Sequence, residues 1–421
     1  MLKVIEKRVN SVLQRFPVVK FLIKRSYQLC MYALSPKLKS EGNIIKISPD
    51  DNMEYFFGYY DKSPWDGSDQ YMLSLRVRST CKAVAPNDEV AEIVIFDTHD
   101  NNSYRVLGET RAWNVQQGCM LQWLGDDYKT KIIYNDFRDG EYCSVVLNVL
   151  TGAEKVYPFP VYSVAANGEF ALSLDFSRLH RLGKGYGYSN LEDLTAHEKI
   201  PDGAAIWKLD LNTGEVISVL RYSDFSAFET RPEMLDAEHK VNHILISPNS
   251  ERFMVLHRWF KNKRMYSRLV TANVDGSGMY NLSDDDMVSH CFWKNNEEIV
   301  AYGRKCADGD GYYLMRDQGD EYEKIWPTLL MDGHPSFAPA VGKAVTDTYP
   351  NRARVSDLYV IRLGDGEDQI KRVARTFSPF KYDNQLRCDL HPRWNRGGSK
   401  ICVDATFEGG RGLYVVIDEG L

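Results

Sequence analysis

From about residue 43 onward, apolar residues come in short runs such as KIIY, SVVLNVL, EFALSL, RFMVLH, EIVAY and KICVDA, divided by turns rich in Gly, Asn and Asp. Runs of that length between such turns predict β-strands rather than helices. The runs group into seven units. The first covers GYYDKSPWDGSDQYMLSLRVR, EIVIFDTHD and YRVLGE, and the second CMLQWLGDDYKTKIIYNDFRDG and SVVLNVLTGAEKVYPF. The third joins VYSVAANGEFALSLDFSR to AAIWKLDLNTGEVISVL across an insertion reaching about residue 200. The last four begin at His243, His290, His334 and His391. Each full unit reads as four strands, with DLNTGE and NVDGSG as outer hairpin turns. The seventh lacks its fourth strand, and NIIKISP at 43–49 can supply it, closing the ring and removing the free edges. The expectation is an all-β, seven-bladed β-propeller over residues 41–421, with six or eight blades as alternatives because the first three units are less regular.

The N-terminal segment follows a different period. Val4, Ile5, Val9, Val12, Leu13 and Phe16 recur at helical spacing, and residues 1–37 carry eight Lys/Arg against the single Glu6. Charge interrupts VVKFLIKR too often for a signal-peptide core or a spanning helix. Residues 1–40 are therefore expected to form a basic amphipathic helical extension. It either lies on an anionic membrane surface or packs against the propeller.

His243, His290, His334 and His391 stand at one register of successive units, 47, 44 and 57 residues apart, and three of them have an aromatic residue three positions on (Trp293, Phe337, Trp394). Histidines at one register of neighbouring blades converge on the propeller axis. His290, His334 and His391, with Asp389 or Gln385 as oxygen donor, would suit Mn²⁺ or Zn²⁺. His243 beside Arg258 is the candidate for acid–base work, since imidazole exchanges a proton near neutral pH and guanidinium holds a carboxylate bidentately. The plainer alternative is four structural histidines, each bonding a neighbouring loop. His99, His180, His197 and His239 fall off this register and read as surface or loop residues.

In a propeller the start of an inner strand and the end of the second strand share a face. On that criterion His257, Tyr302, Arg304, Asp347, Tyr349 and Arg387 join the candidate set as groups for an anionic, hydroxyl-rich ligand. No phosphate-binding glycine loop and no GxSxG nucleophile motif is present. A net charge of −6 argues against general nucleic-acid binding. The eight cysteines form no CxxC pair and several lie within apolar runs, such as Cys402 in KICVDAT, so they read as reduced thiols of a cytoplasmic protein. A closed ring predicts a monomer.

The blocks NHILISP…VLHRW, SHCFW, DGHPSF and DLHPRWN…GSKICVDATFEGGRGLYVV resemble the oligogalacturonate lyase family, closely over 235–421 and loosely over the first three units. The resemblance implies a seven-bladed polysaccharide lyase in which a histidine and an arginine serve catalysis. It also implies a divalent cation, usually manganese, held by histidines and a glutamine from later blades. Carried over, His243 matches the catalytic histidine and His290 and His391 match metal ligands, while Gln385 lies near the expected glutamine. The family's closing motif has two histidines separated by one residue, and here Asp389 stands in the place of the first. For the arginine, Arg178, Arg221 and Arg231 compete with Arg258.

Two functions follow as expectations. One is a lyase cleaving a uronic-acid-containing oligosaccharide or polysaccharide by β-elimination, with His243 or Tyr349 as base and a cation or arginine on the carboxylate. The other is a non-catalytic glycan-binding or scaffold propeller in a surface-polysaccharide pathway, peripheral at the inner face of the membrane. A peptidase-associated propeller fits less well, because no hydrolase segment follows the last unit.

Overall fold

Each apolar run of the repeat forms a strand, and successive strands pair antiparallel into seven sheets. The structure is a computed structural model, and it describes residues 17–35, 39–339, 342–364 and 366–417. The blades cover 54–110, 122–157, 163–221, 238–283, 288–325, 336–377 and 393–417. Their hairpins form where the sequence supplies the turn. Asp139 and Gly140 both take positive φ (52° and 85°) between the second and third strands of blade 2, as two-residue turns of matching twist require. In DLNTGE the Asp210 carboxylate accepts from the Asn212 and Thr213 amides and orders the turn.

The second and third strands are buried on both faces because each blade is sandwiched between two others. Ile401, Val403, Tyr414 and Val416 of blade 7, for instance, share one core cluster with Val345, Leu358 and Val360 of blade 6. Burying such side chains contributes about 1.5–3 kcal/mol each. Outer strands carry polar residues, as in Ser103–Thr110, which is mostly exposed.

Ring closure occurs as the sequence predicts. Ile44–Lys46 pairs with Gly412–Ile417 in the register Ile44↔Val416 and completes blade 7. A second closure was not expected: Ser40–Gly42 adds a fifth strand to the outside of blade 6, pairing with Gln369–Phe377. A helix, α1 (Pro17–Leu34), precedes these strands. The expected helical pattern at 4–16 lies outside the described residues. No helix among the described residues is long and apolar enough to cross a membrane.

The inner strands differ from the expected starts. In blades 4 and 5 they begin before the histidine, at Glu238 and Val288. In blades 6 and 7 they begin after it, at Ser336 and Arg393. The register shifts between Asn242 and Leu245 and between Val288 and Cys291. His243 and His391 take positive φ, 57° and 45°, uncommon for a residue with a Cβ and costing about 1–2 kcal/mol. At His243 the irregularity falls within the inner strand of blade 4, where a bulge re-aims a side chain out of the regular alternation.

Candidate functional site: an imidazole and tyrosine cluster on the axis

The four in-register histidines meet. Ring centroids of His290 and His334 are 4.2 Å apart, and those of His334 and His391 are 4.4 Å apart. His243 joins through Tyr59 and Tyr60 of blade 1. Tyr59 lies 5.4 Å from the His243 ring and 5.2 Å from that of His391, and Tyr60 lies 5.1 Å from that of His334. The four histidines are only 1–3% exposed.

Their hydrogen bonds fix which nitrogen faces where. His243 Nε2 lies 2.8 Å from the Cys291 carbonyl, which can only accept. The proton therefore sits on Nε2, and Nδ1 accepts from the Tyr59 hydroxyl at 3.2 Å. Tyr60 donates to the same carbonyl at 2.9 Å. His290 Nδ1 donates to Asp332 at 3.0 Å, and its Nε2 faces the Tyr349 hydroxyl at 3.4 Å. His334 Nδ1 donates to Asp347 at 2.8 Å. Carboxylate-oriented imidazoles of this kind leave the second nitrogen as an acceptor aimed at the axis.

Burial pushes the pKa of His243 and His391 well below the usual imidazole value, with neighbouring His290 and His334 adding to it. Burial also lowers His290 despite the Asp332 carboxylate beside it. For His334 burial acts in the same direction, but Asp347 outweighs it and the pKa is raised. Tyr59, Tyr60 and Tyr349 are pushed well above the usual phenol value, chiefly by burial, and stay protonated as donors.

Among the described residues, one group of His and Asp ligand atoms is compact enough for a cation. His334, Asp389 and His391 each bring one, all within 4.8 Å of one another. His391 Nε2 is buried and has no hydrogen-bond partner among the described residues, and neither does Asp347 Oδ2. His391 thus brings a buried ring nitrogen to a group whose other members, His334 and Asp389, are also donor types that manganese or zinc takes. The residues fit such an ion.

The remaining sequence candidates fall into two sets. Arg387 donates to Asp389 at 2.8 Å and lies 5.1 Å over the Tyr349 ring. Arg258 donates to Ser289 O, and its buried Nε has no partner among the described residues. These two, with Tyr349 and Asp347, belong to the cluster. Tyr302 bonds Leu330 O, and Arg304 pairs with Asp310 across the hairpin between the second and third strands of blade 5. His257 is turned into a separate stack with His239 and Trp259. Gln385 is exposed on a short 3₁₀ turn, its Oε1 against Gly185. Among the competing arginines, Arg178 is tied to the carbonyls of Thr195, Glu198, Lys199 and His239, and Arg231 to Asp284 and Asp286. Arg221 caps the helix Tyr222–Ala227. His239, expected at the surface, is fully buried, because it lies on the inner strand of blade 4.

Sequence reasoning did not single out Tyr59, Tyr60 or Asp332, nor the cover of the site. The blade 3 insertion carries that cover at residues 182–188, LGKGYGY. The Tyr186 ring packs 6.4 Å from Tyr59, and Leu182 O accepts from Lys240 Nζ at 3.0 Å. Gly187, at φ 68°, approaches the Phe176 carbonyl too closely for any Cβ. An open groove of about 530 Å³ lined by Trp326, Phe337 and Asp368 lies elsewhere and contains none of these groups.

No model of a protein family matches the sequence, and neither does any curated protein. Solved structures do match. An oligogalacturonate lyase in complex with manganese superposes with a TM-score of 0.63 at 15% identity, over 90% of this chain and 96% of that one. The oligogalacturonate lyase of Vibrio parahaemolyticus gives a TM-score of 0.61 at 13% identity, over 90% and 96%. At these identities the likeness establishes the seven-bladed propeller fold.

Proposed function

We propose that the protein is a lyase acting on a uronic-acid-containing oligosaccharide or polysaccharide by β-elimination, with a divalent cation held by His334, Asp389 and His391. The observation that carries this reading is the compact group of His334, Asp389 and His391, whose ligand atoms lie within 4.8 Å of one another, with His391 Nε2 unpartnered among the described residues. The structural likeness to a manganese-bound oligogalacturonate lyase supports it. His290, whose Nε2 faces the same axis, is the next donor in reach. When bound, the cation would neutralise the uronate carboxylate and so acidify the proton on C5.

The chain's own groups account for the rest. Arg258 offers its free Nε–H to the carboxylate. Tyr59 passes its hydroxyl proton to His243 Nδ1 as it takes the C5 proton, so the charge ends on an imidazole already oriented by Cys291 O. The C5–H electron pair forms the C4–C5 double bond, the C4–O4 bond breaks, and Tyr349 gives O4 its proton. Residues 182–188 have to move for a sugar to enter, and their closure excludes water from the reacting atoms.

The test combines metal content with product. Protein purified without chelator should carry about one equivalent of manganese or zinc, lost in His391→Ala. Uronate oligosaccharides should give a product absorbing in the ultraviolet. Absence of both metal and product across uronate substrates would overturn the lyase reading. Glycan binding without turnover would then favour a binding propeller, the alternative to which the closed cover over the histidines lends weight.

A further inference from the structure

Helix α1 presents two different faces. One is fastened to the propeller. Arg25 pairs with Asp383 at 3.2 Å and lies 4.8 Å over the Phe380 ring. Tyr32 stacks on Phe377 at 5.3 Å and meets Phe380 edge-on. Tyr27 accepts from Arg352 at 2.7 Å, and Gln28 is buried. The other face is apolar and bare. Val19, Leu22, Ile23 and Leu29 are 46–57% exposed and Leu34 is 82% exposed, with Cys30 and Ala33 exposed among them. Positions 19, 22, 23, 26, 29, 30 and 33 form one continuous stripe on a helix, interrupted only by the small Ser26.

A stripe of this length facing water marks a contact surface. Its chemistry selects the occupant. The helix holds Lys20, Lys24 and Arg25 and no acidic residue, and residues 1–37 carry eight basic groups against Glu6. The helix is too charged to cross a bilayer. An apolar stripe on a cationic helix that does not span is the composition of a helix lying in an anionic lipid interface. We propose that the outward stripe of α1 is a lipid-docking surface that seats the propeller on an anionic membrane.

The landing place of the helix gives this a consequence. Asp383, Phe380 and Phe377 begin the connection from blade 6 to blade 7, and the same connection carries Arg387, Asp389 and His391. Asp383 also holds the buried Arg354, which is bonded to Ser378 O and Tyr382 O. Docking would thus bring the histidine face next to the membrane surface, where a lipid-attached acidic glycan would be met.

The full chain should float with vesicles of phosphatidylcholine mixed with phosphatidylglycerol and bind pure phosphatidylcholine vesicles far less. Raising salt should weaken the binding. The double variant Leu22→Asp/Ile23→Asp should bind at least about tenfold more weakly, since two half-exposed side chains lose their burial in lipid. Both positions face solvent, so the melting temperature should hold; if the double variant fails to fold, Leu29→Gln alone serves the same purpose. The proposal is overturned if the wild-type chain stays below the vesicles, or if the stripe variants float as well as wild type, which would assign binding to the basic residues alone. It is equally overturned if the stripe instead joins two copies, seen as a lipid-free dimer that the variant dissociates while neither protein floats.

Discussion

Two buried histidine clusters lie within this propeller, and they are wired in opposite ways. In blade 4, Arg268 Nε donates to His257 Nδ1, His257 Nε2 to His239 Nδ1, and His239 Nε2 to the Met234 carbonyl. Every ring nitrogen in that chain has one partner and one possible proton position. On the axis, His290 and His334 spend Nδ1 on carboxylates and turn Nε2 inward, and His391 Nε2 meets no partner among the described residues. The first arrangement is finished without a ligand. The second leaves His391 Nε2 without a partner among the described residues, in a residue that groups with His334 and Asp389, so the partner of a buried imidazole, rather than its burial, separates structure from chemistry.

The largest effect should come from breaking the finished cluster. Arg268 is fully buried and also donates to Phe225 O and Phe228 O. Arg268→Met leaves those carbonyls and His257 Nδ1 unsatisfied and should cost about 3–5 kcal/mol, read as a lower midpoint in urea. Substitution on the axis should behave differently. Wild-type protein should gain about 2.7 kcal/mol when free manganese exceeds its dissociation constant a hundredfold. His391→Ala should lose that gain while keeping nearly the metal-free stability of wild type. If His391→Ala instead unfolds the protein as Arg268→Met does, the two clusters are alike and both are structural.

The sequence made only one side of this contrast legible. The axial histidines stood out because each opens a repeat, so register alone brought them together. Tyr59 and Tyr60 did not, because tyrosine is common throughout the chain and blade 1 departs from the repeat at GYYDKSPW. Asp332 lies in the connection before blade 6, where no period constrains it. His257 was assigned to the axial face, beside Arg258, by its place at a strand end. Neighbours in a strand point to opposite sides, and the structure turns His257 toward Phe225 and His239. The closing strand Ile44–Lys46 was legible as a missing fourth strand, whereas Ser40–Gly42 is too short and too exposed to carry a pattern.

Lys240, between the two clusters, carries the opposite problem to the neutral histidines near it. Its ammonium is buried, donates to Leu182 O, and is pushed down to about 7 by burial and by Arg258. The folded state therefore binds fewer protons than the unfolded chain between about pH 7 and 10.5. Stability should rise with pH across that window, and below it the cost of the buried charge is fully present. Lys240→Met should stabilise the protein at pH 7 by roughly 2 kcal/mol and flatten the rise, as thermal melts at several pH values would show. An unchanged slope would mean that the ammonium reaches water beside residues 182–188.

The smallest expected effect tests the edge of the axial cluster. Gln385 stands two residues from Arg387 and four from Asp389, yet its side chain is exposed and its Oε1 rests against Gly185 in the cover. As the structure stands its side chain is exposed, whereas His334, Asp389 and His391 are all buried. Gln385→Ala should shift manganese affinity by less than about twofold, on the order of 0.4 kcal/mol, in a titration followed by calorimetry. A tenfold loss would mean that the turn Asn384–Leu386 swings inward on binding and releases Gly185. Cover and cation would then be coupled through this one side chain, and the axial cluster would differ from the blade 4 cluster in being mobile as well as unfinished.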